Sequence, residues 1–127
     1  YQNPAGTAAL QGRRLLIPGV KISSGVITAL TGGGYMAQWS LAFGHTAVSL
    51  ATAEAAATKA PRRIALGIQT VAAAQAALTL LAVVEIKLTN PVVVNPGEFV
   101  AVVKKKIGTA PSAGTIGHII TYDYTWL

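Results

Sequence analysis

The sequence predicts an all-β chain, a single-domain antiparallel β-sandwich of about seven strands. Three observations predict it. Hydrophobic side chains recur with a period of two in five separate stretches, and strands build that period because their successive side chains point to opposite faces. Turn-forming residues (Pro18-Gly19, Gly32-Gly33-Gly34, Asn95-Pro96-Gly97 and the loop 108–114) separate the stretches at sandwich spacing. The 127 residues suffice for one buried core and make one domain.

Taken in order, residues 1–12 are rich in Gly, Ala, Asn and Pro and read as an extended arm, leaving 13–127 as the sandwich. Residues 13–28 carry Leu15-Leu16-Ile17 and Val20-Lys21-Ile22. Pro18-Gly19 between them implies an edge, a bulge, or a bend separating two short strands. Gly32-Gly33-Gly34 is a turn, and it lacks the Gly-Lys-Ser/Thr ending of a phosphate loop. Residues 35–45 alternate well: Tyr35, Ala37, Trp39, Leu41, Phe43 and His45 face one way. Residues 46–60, Ala-rich with Glu54 and Lys59, read as a long loop or one short helix.

Residues 62–71 set Ile64, Leu66 and Ile68 against Ala65, Gly67 and Gln69. In 81–89, Ala82, Val84, Ile86 and Leu88 point inward and Glu85 and Lys87 outward; 91–94 form a short buried strand before the Asn95-Pro96-Gly97 turn. Phe99, Ala101, Val103 and Ile107 share a face in 98–107. From 115 the even positions Ile116, His118, Ile120, Tyr122, Tyr124 and Trp126 make a large aromatic-aliphatic face, and the odd positions a small polar one. The expected common core is Trp39, Phe43, Ile64, Leu66, Ile86, Phe99, Val103, Ile120 and Tyr122.

A membrane helix competes for residues 64–84, 21 positions without a formal charge behind Pro61-Arg62-Arg63. Its alanines gain little from lipid, and 64–70 have strand periodicity. Strand, loop, strand is the stronger reading, which leaves the membrane out as a partner.

Only 11% of residues are Asp, Glu, Lys or Arg, against about 25% in an ordinary soluble domain. The outer faces must therefore consist largely of Ala, Thr, Ser, Gly and Val, which suits a surface that meets other protein. There is no cysteine, which removes disulfides, thiol catalysis and zinc-thiolate sites together. Position 1 is Tyr with no signal-peptide pattern, so upstream residues are expected to have been removed or left out. The net charge of +6 sits in knots at Arg13-Arg14, Arg62-Arg63 and Lys104-Lys105-Lys106. No stacking aromatics interleave with them, so solvated strand ends or contact with an acidic protein neighbour are favoured over nucleic acid.

Catalytic and metal chemistry finds little material. His45 and His118 could approach each other or Asp123 if their strands pair, but a metal needs three or four ligands. A Ser/His/Asp set can be written from Ser40 or Ser49, His45 and Asp123, without the local signature of a nucleophile elbow. Glu54, Glu85, Glu98 and Asp123 could supply a carboxylate pair, yet Glu85 and Glu98 read as solvated strand residues. The expectation is no enzyme, no cofactor and no metal. Tyr35, Trp39, Phe43, Tyr122, Tyr124 and Trp126 could line a sugar-binding face, although their regular placement favours core packing.

The segments 91–103, 108–114 and 118–124, with 41–50 and 59–63, resemble the strands and turns of jelly-roll proteins in virions. They are most similar to structural proteins of environmental bacteriophages. The likeness covers most of the chain after Arg13. It implies a capsid-associated role as shell, decoration or head-fibre component, located in the virion after assembly in the host cytoplasm, with copies of itself and other virion proteins as partners. The arm and the basic knots then become the expected contacts: Tyr1, Pro4, Leu10, Arg13, Arg14, Lys104, Lys105 and Lys106. The alternative is a carbohydrate- or receptor-binding module on a fibre or cell surface.

Overall fold

The computed structural model describes residues 1–3, 12–55 and 61–127. Among them, six strands are formed: β1 (Leu15–Thr31), β2 (Tyr35–His45), β3 (Arg62–Val71), β4 (Val84–Val94), β5 (Phe99–Gly108) and β6 (Ala113–Trp126). One short helix, α1 (Leu50–Ala55), stands between β2 and β3. The strands make two antiparallel sheets, ordered β4-β1-β6 and β3-β2-β5. The chain is an all-β sandwich, with six strands where about seven were expected.

The count differs because two prolines that read as breaks fall in one irregularity. Ile17 pairs with Val92 and Gly19 with Lys87, so Pro18 alone stands across from residues 88–91. Proline has no N–H for the ladder, and β4 bows away beside it before resuming. Both strands run on through the defect, for 17 and 11 residues.

A second irregularity reverses a face. Trp39 pairs with Gly67 and Ser40 with Ala65, which leaves Leu66 as an extra residue in β3. Gly67 takes a φ of +146°, a conformation that L side chains rarely adopt. Past this bulge the alternation inverts: Gln69 and Val71 turn inward, and Ile68, expected inside, is 60% exposed.

The core lies between the sheets. Leu15, Ile17, Val20, Ile22 and Val26 of β1 meet Tyr35, Ala37, Trp39, Leu41 and Phe43 of β2, all buried. Leu66 belongs to this core, and Ile64, Ile86 and Tyr122 pack against it partly buried. Phe99, Val103 and Ile120 do not join it, contrary to expectation. In β5 the register opposes Val100, Val102, Lys104 and Lys106 to Phe43, Leu41, Trp39 and Ala37, so the even residues face inward. The odd set, Ala101, Val103 and Ile107, faces out.

The segment that competed as a membrane helix is divided between β3, turns and β4. Among the described residues no helix is long and apolar enough to cross a membrane. Residues 74–81 follow the edge of β1 beyond β4 through Leu30 N–H to Gln75 C=O (2.8 Å), Val26 N–H to Thr79 C=O (2.8 Å) and Leu81 N–H to Ser24 C=O (3.0 Å). Keeping that course puts Ala74 at φ 51° and Leu78 at φ 63°, both left-handed. In the other Ala-rich connection, Ser49 caps α1, its hydroxyl accepting from Thr52 N–H (3.4 Å) and its carbonyl from Ala53 N–H (2.9 Å), and Arg63 pairs with Glu54. Lys59 lies outside the described residues.

The two sides of the sandwich differ. Along β3 and β4 it is closed: the Gln69 amide donates to the Ala82 carbonyl, and a side chain at Gly67 would come within 3.1 Å of Val84. Along β5 and β6 it is open.

Candidate functional site at the open seam between the sheets

The even residues of β6 do point inward, as their pairing shows: Ile116 opposes Val26, His118 opposes Ser24, Ile120 opposes Ile22 and Tyr122 opposes Val20. The facing sheet stops short of them. Ile120 remains 39% exposed and Tyr124 63% exposed on the face that should be core. Sheet β3-β2-β5 ends at β5, and the inner face of β6 overhangs its edge. The result is a cleft of about 440 Å³, lined mainly by Leu15, Ile17, Val100, Tyr122, Tyr124 and Trp126, with Tyr1 at its rim. Burial raises the Tyr122 phenol above its usual value, and a hydrogen bond with the Val102 backbone opposes that rise.

Midway along the seam the two sheets are joined by polar side chains. Lys104 Nζ lies 2.7 Å from His118 Nε2, and His118 Nδ1 lies 2.8 Å from Ser24 Oγ. The Lys104 ammonium also sits 5.5 Å from the Trp39 ring centre, and the His118 ring meets Trp39 edge-on at 5.0 Å. A lysine ammonium can only donate, so Nε2 of a neutral imidazole accepts, Nδ1 carries the proton, and Ser24 Oγ accepts from it. That direction leaves the serine hydroxyl without a base, the reverse of nucleophile activation. Burial pushes the His118 pKa down, and the Lys104 charge pushes it further. Burial also lowers Lys104, with Lys106 adding to the effect.

The expected contact residues fall in three groups. Tyr1, Arg13 and Arg14 are tied to their own chain. Tyr1 and Val100 exchange backbone hydrogen bonds at 3.0 and 2.9 Å, Asn3 N–H donates to Glu98 C=O (2.9 Å), and Gln2 bridges Phe99. Buried Asn3 donates its amide to the carbonyls of Arg13 (3.1 Å) and Val94 (2.9 Å). Arg14 pairs through its backbone with Leu127, while both arginine side chains are exposed. The start of the expected arm therefore lies along β5 of the same chain. Pro4 and Leu10 lie outside the described residues. Lys104, Lys105 and Lys106 alternate as strand residues must: Lys104 and Lys106 point across the seam, Lys106 over the Tyr35 ring at 5.4 Å, and Lys105 points outward. Three consecutive lysines do not make one patch here.

The expected chemical residues are not brought together. His45 is buried and stacks on Phe99 with ring centres 5.7 Å apart, and burial lowers its pKa. His118 lies in the other sheet. Asp123 opposes Gly19 on the outward side of β6, and Ser49 is used in capping α1. Glu98, read as solvated, is buried at 3% exposure, with its carboxylate accepting from Asn95 N–H (3.0 Å) and the Asn95 amide (3.1 Å) across the turn. Glu85 is exposed, as read. Among the described residues no group of three or more His, Asp or Glu could hold a metal ion.

One feature had no reading in the sequence. On the outer face of sheet β4-β1-β6, Ile27 (58% exposed) and Ile119 (71%) adjoin Leu78 (88%) and Leu80 (86%) around Gly25 and Gly117. The odd face of β6 was read as small and polar, but its one large residue, Ile119, meets Leu78 and Leu80 from a segment with no strand period. Ser24 was likewise unsignalled, because a serine in a β-strand carries no local mark of its partner.

No family model, curated protein or solved structure matches the chain.

Proposed function

We propose that this chain is a non-enzymatic structural protein of a virion, a shell, decoration or head-fibre component that works by assembling with copies of itself and with other particle proteins. The observation that supports the assembly reading is the exposed aliphatic surface formed by Ile27, Leu78, Leu80 and Ile119, on a domain with 11% charged residues. Burial of such a surface is favourable by roughly 25 cal/mol for each Å² removed from water. The virion placement and a jelly-roll relationship rest on the likeness of the strand and turn segments; a full jelly roll has eight strands, two more than the six here. The basic knots take acidic protein neighbours in this reading, and neither nucleic acid nor membrane is a partner. Mass spectrometry of density-banded phage particles tests the location, and sedimentation velocity of the purified chain tests assembly. A chain absent from the particles and monomeric at high micromolar concentration would sink the reading.

A second reading has its own observation. The cleft gathers Tyr122, Tyr124 and Trp126 with Tyr1 at the seam, the kind of rings on which a sugar stacks. Its other lining is nearly all aliphatic, which gives a sugar's hydroxyls few partners. Quenching of Trp126 fluorescence by oligosaccharides, abolished in Trp126→Ala, would favour this carbohydrate-binding alternative.

A further inference from the structure

A sandwich of two open sheets has four edge strands, and unpaired edges invite other strands. Proteins protect them with lysines, prolines, bulges or covering segments. Three of the four edges here are guarded. β3 begins with Arg62 and Arg63, bulges at Gly67 and lies against β4. β4 carries Glu85, Lys87 and Pro91, and bows out opposite Pro18. β5 carries Lys104, Lys105 and Lys106, and residues 1–3 run along its beginning.

Among the described residues, β6 has none of these devices. Its 14 residues contain no proline, lysine, arginine or glutamate, and Asp123 is their single charge. It also carries no extra residue of its own against β1. Where β1 and β6 lose register, the extra residue falls in β1 each time, and positions 116–123 pair without interruption with 19–26. The strand is rich in Ile, Thr and Tyr, which favour strands, and large residues are exposed on both of its faces: Ile119 outward, Ile120 and Tyr124 inward.

We infer that β6 pairs antiparallel, about a two-fold axis, with β6 of a second copy, joining two β4-β1-β6 sheets into one. The partner is argued from charge and pattern. An antiparallel pair with matched faces centres on Ile119 or Ile120, which sets aliphatic against aliphatic in the middle. Tyr122 then meets Ile116 or His118, the aromatic and β-branched type of pair that stabilises sheets. Asp123 of one copy falls opposite position 115 or 117 of the other, away from its own counterpart. The same operation on β5 would bring lysine runs together, so β5 is excluded by repulsion. Pairing at β6 also sets Ile120 of each copy beside His118 or Ile120 of the other, and Tyr124 opposite Gly114 or Ile116, next to the apolar cleft. The inference deepens the assembly reading above and rests on it, since it names the surface and the partner.

The chain has no cysteine, so a single introduced one is unique. Nitroxide labels on Thr115→Cys, Thr121→Cys and Thr125→Cys, all exposed outward positions, read the geometry by double electron–electron resonance. With about 3.4 Å of rise per residue, a two-fold pair gives its shortest inter-copy distance at 121; a pair centred on Ile119 puts the copies about 27 Å apart at 115 and about 41 Å at 125, and one centred on Ile120 about 34 Å apart at both. Thr121→Lys, which places like charges near the axis, should weaken self-association about tenfold or more, with the β spectrum unchanged by circular dichroism. A chain that associates but shows no minimum near 121, or that associates equally well as Thr121→Lys, overturns the strand pairing and leaves the assembly reading standing. A chain that stays monomeric overturns both. Capture of a foreign strand in place of the second copy, with association lost on removal of that partner, also overturns the inference.

Discussion

Ile22 and Ile120 are direct cross-strand partners on the inner face of one sheet, and they carry the same side chain in two environments. Ile22 is fully buried, whereas Ile120 is 39% exposed because the opposite sheet ends at β5. Truncating a buried isoleucine removes its transfer free energy and leaves a cavity that close packing cannot refill, together about 2–5 kcal/mol. Ile22→Ala should fall in the upper part of that range. At Ile120 roughly three-fifths of the side chain is covered, so a similar share of a 1.5–3 kcal/mol transfer contribution is lost, about 1–2 kcal/mol. The cavity contribution there is close to zero, because water fills the space from the open side. Urea unfolding of both variants in dilute solution, followed by circular dichroism, gives the two costs as shifts in midpoint at constant slope. If Ile120→Ala costs as much as Ile22→Ala under those conditions, the seam is closed in the free chain and the reasoning from the overhanging strand fails. If the Ile120→Ala cost rises with protein concentration while the Ile22→Ala cost does not, the seam is being covered by association.

Two further outcomes are expected. His118 is held below its ordinary 6.5 by burial and then by Lys104, so the unfolded chain takes up the proton first; stability is full above that pH and declines as pH falls below it. The urea midpoint should therefore drop between about pH 7.5 and pH 5.5 more steeply in the native chain than in His118→Gln, and equal slopes would remove His118 from the account. Leu78 sits 88% exposed at φ 63°, where a branched side chain is strained and asparagine is tolerated, so Leu78→Asn should raise stability by about 1 kcal/mol. A loss of stability in calorimetry would mean that Leu78 contributes packing which its exposure hides.

The alternation in Tyr35 to His45 was legible because one face is uniformly apolar and buried, and β2 sits at the centre of its sheet. β5 misled because both of its faces carry apolar residues, and its inward face was marked by lysines. Only the register with β2, a relation across more than fifty positions of chain, sets Lys104 opposite Trp39. The inversion in β3 turned on Gly67, and a glycine inside a strand signals a bulge without saying which residue is extra. Pro18 and Pro91 each argued for a break; that they share one defect depends on strand pairing which neither segment encodes alone. At the seam, the inward face of β6 was legible from its own period, but whether anything covers that face depends on where the other sheet ends. The Ser24–His118–Lys104 contact joins three strands from two sheets, beyond the reach of any local pattern.

The sheet orders carry a consequence for how the molecule is made. β1 and β2 are consecutive yet lie in different sheets, as do β3 and β4, β4 and β5, and β5 and β6; only β2 and β3 are both consecutive and paired. β1 finds one partner in β4 and the other in β6, so Ile22 waits 98 residues (120 − 22) for Ile120. Closing loops of that length before any contact rewards them makes folding slow, on the millisecond-to-second scale of high-contact-order β proteins. Until β6 arrives during synthesis, the long middle strand keeps one edge unsatisfied, and a chain interrupted before residue 113 can neither complete the sheet nor offer the strand by which copies would join. Under the proposed pairing, competence to join through this strand comes only once residues 113–126 have been made, and chains terminated before them are shut out of that contact by their own topology.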